Sequence, residues 1–460
     1  MPPLQKGGEN GLYERGVIEK TLGFPMDQLM LNLRSWPQAV LHIDGDAFFT
    51  SCEEAIHPEL RGKPLITGGE RGIVACASYA AKALGIKRGV PLHEARRICP
   101  GLIVLPSDYE TYSLFSRRMY NIVRRFTPQV EEYSIDEAFA DLTGLRRSFH
   151  ASYETIASNI KREVERELGI TVSAGLSLSK VLAKVASKHR KPAGFTVIPG
   201  RRIPEYIREL PVEKIWGIGP ATTNYLWKMG VRTALEFARL PEAVVKKKFA
   251  KPGQEIWREL RGESVCPVAA EEKSDYASIS KTKTFAPPTN DPEYLFAHLL
   301  RNLESACMKA RRYHLAPRRL IGFLKMNDFE YRGSEVKLSR PSAHPLELCE
   351  VLRGLFDELF RREDLYRATG VILADLMPDR NVQYTLFESP LRADKVRDLY
   401  AAVDEMREKF GKHCLHLGAA HPIDKLGKGR RGTPTVREQT AFFGETKRKH
   451  LPLPVLHVKV

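Results

Sequence analysis

Two acidic stretches hold the residues most able to do chemistry. Val130 to Thr143 reads VEEYSIDEAFADLT and sets the adjacent carboxylates Asp136 and Glu137 inside an apolar, β-favouring run. An ionised carboxylate taken out of water has to be paired or to coordinate a metal, so a doublet flanked by Ile135, Ala138 and Phe139 asks for a cation. Taken alone, such a doublet reads as a solvated turn between two strands. A second site upstream changes that reading: Ala39 to Phe49, AVLHIDGDAFF, is a short apolar strand that ends in Asp44 and Asp46 and runs into aromatics. Hard cations such as Mg²⁺ take oxygen ligands and usually keep substrate phosphates in their shell. Two such ions about 3.5 to 4 Å apart serve in-line phosphoryl displacement. Two acidic strands sharing one metal site point to nucleotidyl transfer.

Other stretches carry phosphate-binding chemistry or imitate something else. Tyr79 and Lys82 stand three apart at an Ala-rich helix start and share a face; they form either a clasp for a triphosphate or a solvated basic face. Ser177 to Lys180 spells S-x-x-K, the pattern of a serine nucleophile, but the S-D-N and K-T-G elements that accompany it are absent. Ser177 or Ser179 instead starts a helix over 180–188, whose basic residues would face phosphates. WGIGPAT at 216–222 fails the G-x-G-x-x-G test. It reads as a helix-hairpin-helix in which Gly217 and Gly219 let backbone amides approach a DNA phosphate, with Lys246, Lys247, Lys248 and Lys251 following.

These residues need elements to hold them. Ile156, Ile160 and Val164 predict a helix over 153–168, followed by a strand at 170–175; with the two acidic strands this suggests a βαββαβ sheet with metals on one face and helices on the other. A further strand is expected at 73–78. Neighbours on a regular strand point to opposite faces, so Asp136 and Glu137 converge only where the strand bends or ends. The stretch YASISKTKTF, 276–285, alternates as a strand carrying Lys281 and Lys283. Helices at about 292–312 and 346–361 and strands at 318–326, 335–338 and 370–376 then repeat the β-α-β-β-α-β order. A helix at about 393–410 and basic patches at 425–431 and 447–449 read as a tail.

Length and charge narrow the class. A chain of 460 residues with 43% hydrophobic and 28% charged residues reads as a soluble globular protein of two to four domains. Lys and Arg number 72 against 56 Asp and Glu, a net charge of +16, with a pI near 9.4. Such a chain favours a polyanionic partner. Nucleic acid is favoured over membrane, because no run approaches the ~20 apolar residues of a spanning helix. Seven scattered cysteines with no C-x-x-C argue against a disulfide framework or a zinc site, and the absence of a leader-like segment suggests the cytoplasm.

The strings HIDGDAFFTSCEE, ASYAAKALGIKRGVPLHEA, YSIDEAFADLTG and AGLSLSKVLAKVASKHRKPAGF, in that order, resemble the Y-family translesion DNA polymerases, most closely the bacterial DNA polymerase IV branch. The resemblance runs from about residue 37 to about 387. It implies an α+β multidomain right hand: a ferredoxin-like palm at 37–47 and 107–199, small fingers at 48–106, a helix-hairpin-helix thumb at 200–266, a linker at 267–275 and an α+β little finger at 276–378. An amino-terminal extension, 1–36, and a tail, 379–460, flank these. The implied activity is template-directed, low-fidelity addition of dNTPs to a primer 3′-hydroxyl in translesion synthesis, without proofreading, by a monomer.

The same resemblance assigns residues. Asp44 and Asp136 would bridge two Mg²⁺ ions. Glu137 would hold the ion that lowers the pKa of the primer hydroxyl, and the carbonyl of Gly45 would join the one at the triphosphate. Phe49 would be the steric gate under the incoming sugar, with Phe48 beside it. Tyr79, Lys82 and Lys191 would hold the triphosphate; Lys82 stands where the family usually has Arg and supplies a point charge in place of a planar fork. Gly217, Gly219, Lys246, Lys281 and Lys283, with Arg311, Arg312, Arg318 and Arg319, would grip primer-template DNA. Gln383-Tyr384-Thr385-Leu386-Phe387 resembles the bacterial sliding-clamp pentapeptide, in which Gln383 enters a small pocket and Leu386 and Phe387 fill an apolar one. Two other classes compete: a catalytically silent DNA-binding accessory factor on the same scaffold, and a template-free nucleotidyl cyclase. The complete acidic set argues against the first; the hairpin and the second basic domain argue against the second.

Overall fold

The first acidic strand, β1 (Val40–Gly45), is buried along its whole length and forms the middle of a five-stranded sheet in the order β5-β6-β1-β7-β8. The computed structural model describes residues 36–69, 72–271, 276–379, 390–410, 414–421 and 423. It divides between Glu272 and Lys273 into two units.

In the first unit, β1 leads into α1 (Phe48–Ile56) and a three-stranded sheet, β3-β2-β4. That sheet comprises β2 (Leu65–Thr67), β3 (Cys76–Ala77) and β4 (Ile103–Leu105), with the short helices α2 (Tyr79–Ala83) and α3 (Leu92–Ile98). The strand expected over 73–78 shrinks to the two residues of β3. Its backbone divides its hydrogen bonds, Ala75 donating to Thr67 at 2.8 Å and Val74 to Val90 at 2.9 Å, so no single partner strand extends it. Then come α4 (Tyr109–Arg124), β5 (Val130–Ser134), β6 (Glu137–Asp141), α5 (Tyr153–Leu168), β7 (Val172–Ser177), α6 (Lys180–His189) and β8 (Phe195–Val197). The βαββαβ order is thus present, extended by α6 and by β8, which pairs parallel with β7. Helix α5 begins at a Ser152 side chain that accepts the Thr155 amide and ends at Gly169 in the left-handed region. Leu41 and Ile43 join Ile156, Ile160 and Val164 of α5 in one core. Val40 and Phe139 pack with Ala183 of α6 in a separate cluster, and His42 reaches Ser187 of α6. Side-chain alternation along β1 therefore sends Asp44 to the α6 side.

Five short helices complete this unit: α7 (Ile203–Ile207), α8 (Pro220–Lys228), α9 (Ala234–Ala238), α10 (Glu242–Lys248) and α11 (Lys251–Leu260). Leu226, Phe237 and Leu260 share a core with Val181 and Leu182 of α6. The turn before α8 needs glycine at 217, where φ is +91° and a Cβ would stand 2.6 Å from Ile256.

The second unit is a four-stranded antiparallel sheet in the order β11-β10-β12-β9. Its elements are β9 (Ser278–Thr289), α12 (Pro292–Arg312), β10 (Leu315–Met326), β11 (Tyr331–Lys337), α13 (Pro345–Leu359) and β12 (Tyr366–Pro378), the expected β-α-β-β-α-β order. Leu299 and Leu303 of α12 and Leu352 of α13 pack on Leu320, Leu324, Val371 and Leu373. On the opposite face Phe323 lies against Gly370, where a Cβ would come within 2.1 Å of the ring. Lys281 and Lys283 differ from expectation. They share the side of β9 that carries buried Ile279 and Phe285, opposite Val371 and Thr369, so they belong to the helix-covered face and do not line the open one. Arg311 and Arg319 are also committed within the protein, to Asp404 and to Asp375.

Helix α14 (Pro390–Phe410) is no loose tail. It packs on this unit through Val396, Tyr400 and Arg407, all under 10% exposed, and the Tyr400 hydroxyl accepts the Leu346 amide at 3.0 Å. Its apolar pattern misleads because Leu391, Leu399 and Met406 face outward while an arginine faces inward. None of the described helices is long and apolar enough to cross a membrane.

Buried His298, packed on Tyr294 and Phe285, has its pKa lowered to about 4 by burial, with Lys283 and Arg301 adding to it. The unfolded chain takes up that proton near pH 6.5, so this stability is full above pH 6.5 and is lost as pH falls toward 4. Melting followed by circular dichroism should drop by several degrees between pH 7 and 4.5, and His298→Gln should flatten that drop. An unchanged slope in the variant would contradict the assignment.

Candidate active site

Asp136 lies on no strand. Strand β5 ends at Ser134 and β6 begins at Glu137, so Ile135 and Asp136 form the turn between them, with a register irregularity between Glu132 and Ser134. The sequence difficulty of two adjacent carboxylates is thereby removed: Glu137 sits in the sheet and Asp136 swings on the turn. The turn is held against β1 by the Gly45 amide, which donates to the Asp136 carbonyl at 2.8 Å. The Ser134 hydroxyl donates to the Asp136 carboxylate at 2.6 Å. Asp44 is the direct cross-strand neighbour of Glu137. The structure thus brings Asp44, Gly45, Asp136 and Glu137 to one end of the sheet.

Lysines surround these carboxylates. Lys191 is ion-paired with Asp44 and stands 3.7 Å from Asp46. Lys184 of α6 contacts Glu137 at 2.7 Å, and Lys180 contacts Glu131 at 2.6 Å. Lys180 and Lys184 are buried and turn their ammoniums onto the sheet, whereas Lys188, in the last turn of α6, is exposed. The Lys184 ammonium also lies 4.4 Å from the Tyr133 ring centre and 5.3 Å from that of Trp216. Burial pushes Asp44 up to about 6, and Glu137 adds to this, while Lys191 pulls the other way. His42, beneath Asp44 on the same strand, is held neutral by burial and by the field of Lys184, Lys191, Lys188 and Lys180. Its Nδ1 meets the Ser187 hydroxyl at 2.7 Å.

Asp46 is the junction of the site. It is fully buried and accepts from the Ser173 hydroxyl at 2.8 Å, the Ala193 amide at 2.7 Å and the Tyr79 hydroxyl at 3.4 Å. One carboxylate therefore ties β7, the Lys191 loop and α2 together. Burial and Asp46 push the Tyr79 hydroxyl pKa up, which keeps it a proton donor. Lys82 is exposed, with its ammonium 4.2 Å from the Tyr79 ring centre.

The two phenylalanines separate. Phe48 is 3% exposed and its ring belongs to the core. Phe49 is half-buried: its ring stacks on Tyr112 at 4.5 Å and 12° and meets the edge of Tyr109 at 5.4 Å. Tyr112 is itself fixed by donating to Glu53 at 2.7 Å.

Trp216, just before Gly217, donates to the Tyr133 hydroxyl at 2.9 Å, which ties the glycine turn to β5. Gly219 precedes α8 as its N-cap, and Lys246 is exposed and paired with Glu242 within α10. Gln383, Leu386 and Phe387 lie outside the described residues. Lys184 and the junction role of Asp46 are what sequence reasoning missed. The available signal was two lysines four apart, Lys180 and Lys184, inside the apolar stripe of Val181, Leu182, Ala183 and Ala186.

Comparison with known proteins sets these features beside others. A model of the impB/mucB/samB family matches residues 43–188, and one of that family's C-terminal domain matches 276–386. A DNA polymerase IV of Desulfatibacillum aliphaticivorans is 35% identical over 383 residues, 83% of this chain and 96% of the relative. One from Brucella melitensis is 33% identical over 405 residues, 87% of this chain and 89% of the relative. Among solved structures, a Y-family DNA polymerase chimera of Dbh and Dpo4 matches with a TM-score of 0.64 at 27% identity, covering 74% of this chain and 99% of the chimera. An insertion ternary complex of Dbh DNA polymerase matches with a TM-score of 0.50 at 26% identity, over 74% of this chain and 99% of Dbh.

Proposed function

The chain belongs to the Y family of DNA polymerases, in its DNA polymerase IV branch, and on that premise we propose that Asp44, Asp136 and Glu137 are the metal-binding carboxylates of its template-directed reaction. It is a DNA-directed translesion polymerase that works on primer-template DNA and dNTPs with a divalent metal cofactor. The observation that carries the site assignment is the junction of β1 with the β5–β6 turn, where Asp44 of β1, Glu137 of β6 and Asp136 of the turn meet at one sheet end. We take the ions to be Mg²⁺, two per site.

The donor set fits such a cation. It is oxygen-only, and burial pushes Asp44 up toward neutrality even beside Lys191. Among the described residues no three acidic, imidazole or thiol side chains form a closed metal cage; Lys184 and Lys191 hold two of the carboxylates as ion pairs. When bound, the metal supplies Lewis-acid polarisation of the primer 3′-hydroxyl and charge neutralisation at the leaving pyrophosphate. The protein supplies the rest. Asp136, on its turn, presents a carboxylate oriented by the Ser134 hydroxyl. Lys191 and the Tyr79 hydroxyl, joined through Asp46, are placed to take the phosphate oxygens of the incoming nucleotide, with Lys82 stacked alongside as a further cation. The clamped Phe49 ring closes the space beside the sugar.

We assign the palm to 37–47 and 107–199, the fingers to 48–106, the thumb to 200–266 and the little finger to 276–378, in a cytoplasmic monomer. Gly217 and Gly219, with Lys246, present the thumb to the DNA backbone. The deciding assay is primer extension with and without Mg²⁺; DNA binding without any extension would support the silent-factor reading instead.

The pentapeptide 383–387 serves as a sliding-clamp tether, because a polymerase that grips DNA mainly through phosphates gains from a raised effective concentration on the same template. Leu386→Ala with Phe387→Ala should shorten products about tenfold when clamp is loaded and change little without it. Undiminished clamp stimulation in that variant would rule the tether out.

A further inference from the structure

The second unit carries a basic cavity apart from the carboxylate site. It has a volume of about 790 Å³ and lies at the carboxyl end of α12, where β9 and α14 meet that helix. Lys309 and Arg312 come from the last turn of α12, Lys281 from β9 and Arg407 from α14. Basic residues at a helix carboxyl end are ordinarily explained by the helix dipole. That explanation covers neither Lys281 nor Arg407, which reach the cavity from two other elements.

The charge in the cavity is not balanced by the protein. Asp404, the one lining carboxylate among the described residues, is taken by Arg311 in a two-point pair with both contacts at 2.7 Å. Arg407 is 6% exposed and donates from Nη2 to the Leu415 carbonyl at 3.0 Å. Among the described residues its Nε and Nη1 have no hydrogen-bond partner, and Nη1 stands 3.7 Å from Asp404. A buried guanidinium with two N–H groups unmet is costly unless an acceptor arrives. Burial and the neighbouring Lys309 lower the Lys281 pKa, as expected where two ammoniums share a site short of negative charge. A planar fork flanked by point charges suits phosphate oxygens, and the volume suits a small molecule.

We propose that this cavity binds a phosphoanhydride, the di- or triphosphate group of pyrophosphate or of a nucleoside triphosphate. Four cations without a free carboxylate call for an anion carrying several charges, which a single carboxylate ligand does not supply. Helix α14, which brings Arg407 and Asp404, lies beyond residue 386, where the match to the family's C-terminal domain ends. The site shares no residue with the carboxylate cluster, so it stands or falls independently of the palm assignment.

The test is calorimetric titration of the full chain with inorganic pyrophosphate, and in parallel with dATP, in buffer containing EDTA. Lys309→Gln with Arg312→Gln should weaken binding at least tenfold, as should Arg407→Gln, whereas Lys191→Gln should leave it in place. The exposed double variant keeps the test valid if loss of buried Arg407 unfolds the unit. Equal affinity for both ligands identifies the phosphoanhydride as the whole determinant; tighter dATP binding adds the nucleoside; either supports the site. Absence of pyrophosphate and dATP binding overturns it, as does binding lost in Lys191→Gln and kept in the double variant. A single-stranded oligonucleotide whose binding falls in the double variant, with no pyrophosphate binding by the unaltered chain, also overturns it in favour of a DNA contact.

Discussion

Replacing Asp136 with alanine is expected to lower the rate of primer extension by about a thousandfold or more, with primer-template affinity nearly unchanged. The two effects separate because the carboxylates serve chemistry while basic surfaces supply affinity. Asp136 is the cleaner of the two turn positions to alter. The turn is fixed through its backbone carbonyl, which alanine retains, and its half-buried side chain is bonded to the neighbouring Ser134 hydroxyl. Glu137→Ala should abolish extension equally but also loosen the fold. It leaves the Lys184 ammonium, 6% exposed, without its carboxylate, and breaking a buried pair costs about 3–5 kcal/mol. Melting curves should therefore separate the variants even though extension assays do not. Parallel loss of DNA binding and extension in Asp136→Ala would contradict the metal-ligand role.

Phe49→Ala is expected to raise ribonucleotide incorporation relative to deoxyribonucleotide by about a hundredfold, the range over which pocket shape alone discriminates. The ring owes its usefulness as a gate to its rigidity. Tyr112 stacks on it nearly parallel, Tyr109 abuts its edge, and Glu53 anchors Tyr112. Phe49→Leu, which keeps apolar volume but loses the flat face, should give an intermediate value. Single-turnover incorporation of matched dNTP and rNTP pairs measures the ratio; an unchanged ratio in Phe49→Ala would make Phe49 a core residue and place the gate elsewhere.

Much of this site is legible in the sequence because acidic residues inside β-favouring apolar runs have few structural uses. Asp44, Asp136 and Glu137 stand out on that ground, and the turn that lets the doublet diverge is the feature that only coordinates supply. Lys184 was hidden for the opposite reason: a lysine on a helix reads as solvated until its partner across the sheet is known. Lys281 and Lys283 show the limit of alternation. Two lysines at the spacing of a strand face look like one exposed surface, yet Ile279 and Phe285 at the same spacing turn that face toward the helices. In α14 the inward stripe contains Arg407 and the outward one contains leucines, so apolar periodicity points the wrong way and the docked helix passes for a tail.

The central claim is that this chain copies a template through a metal-dependent site at the end of β1. It is tested most directly by single-nucleotide insertion on four primer-templates that differ only in the templating base, each offered all four dNTPs one at a time, with Mg²⁺ and with EDTA. The account predicts preferential insertion of the complementary dNTP opposite each base in Mg²⁺, none in EDTA, and none by the Asp136→Ala enzyme. Tight DNA binding with no insertion under any condition, or insertion that ignores the templating base, would contradict it.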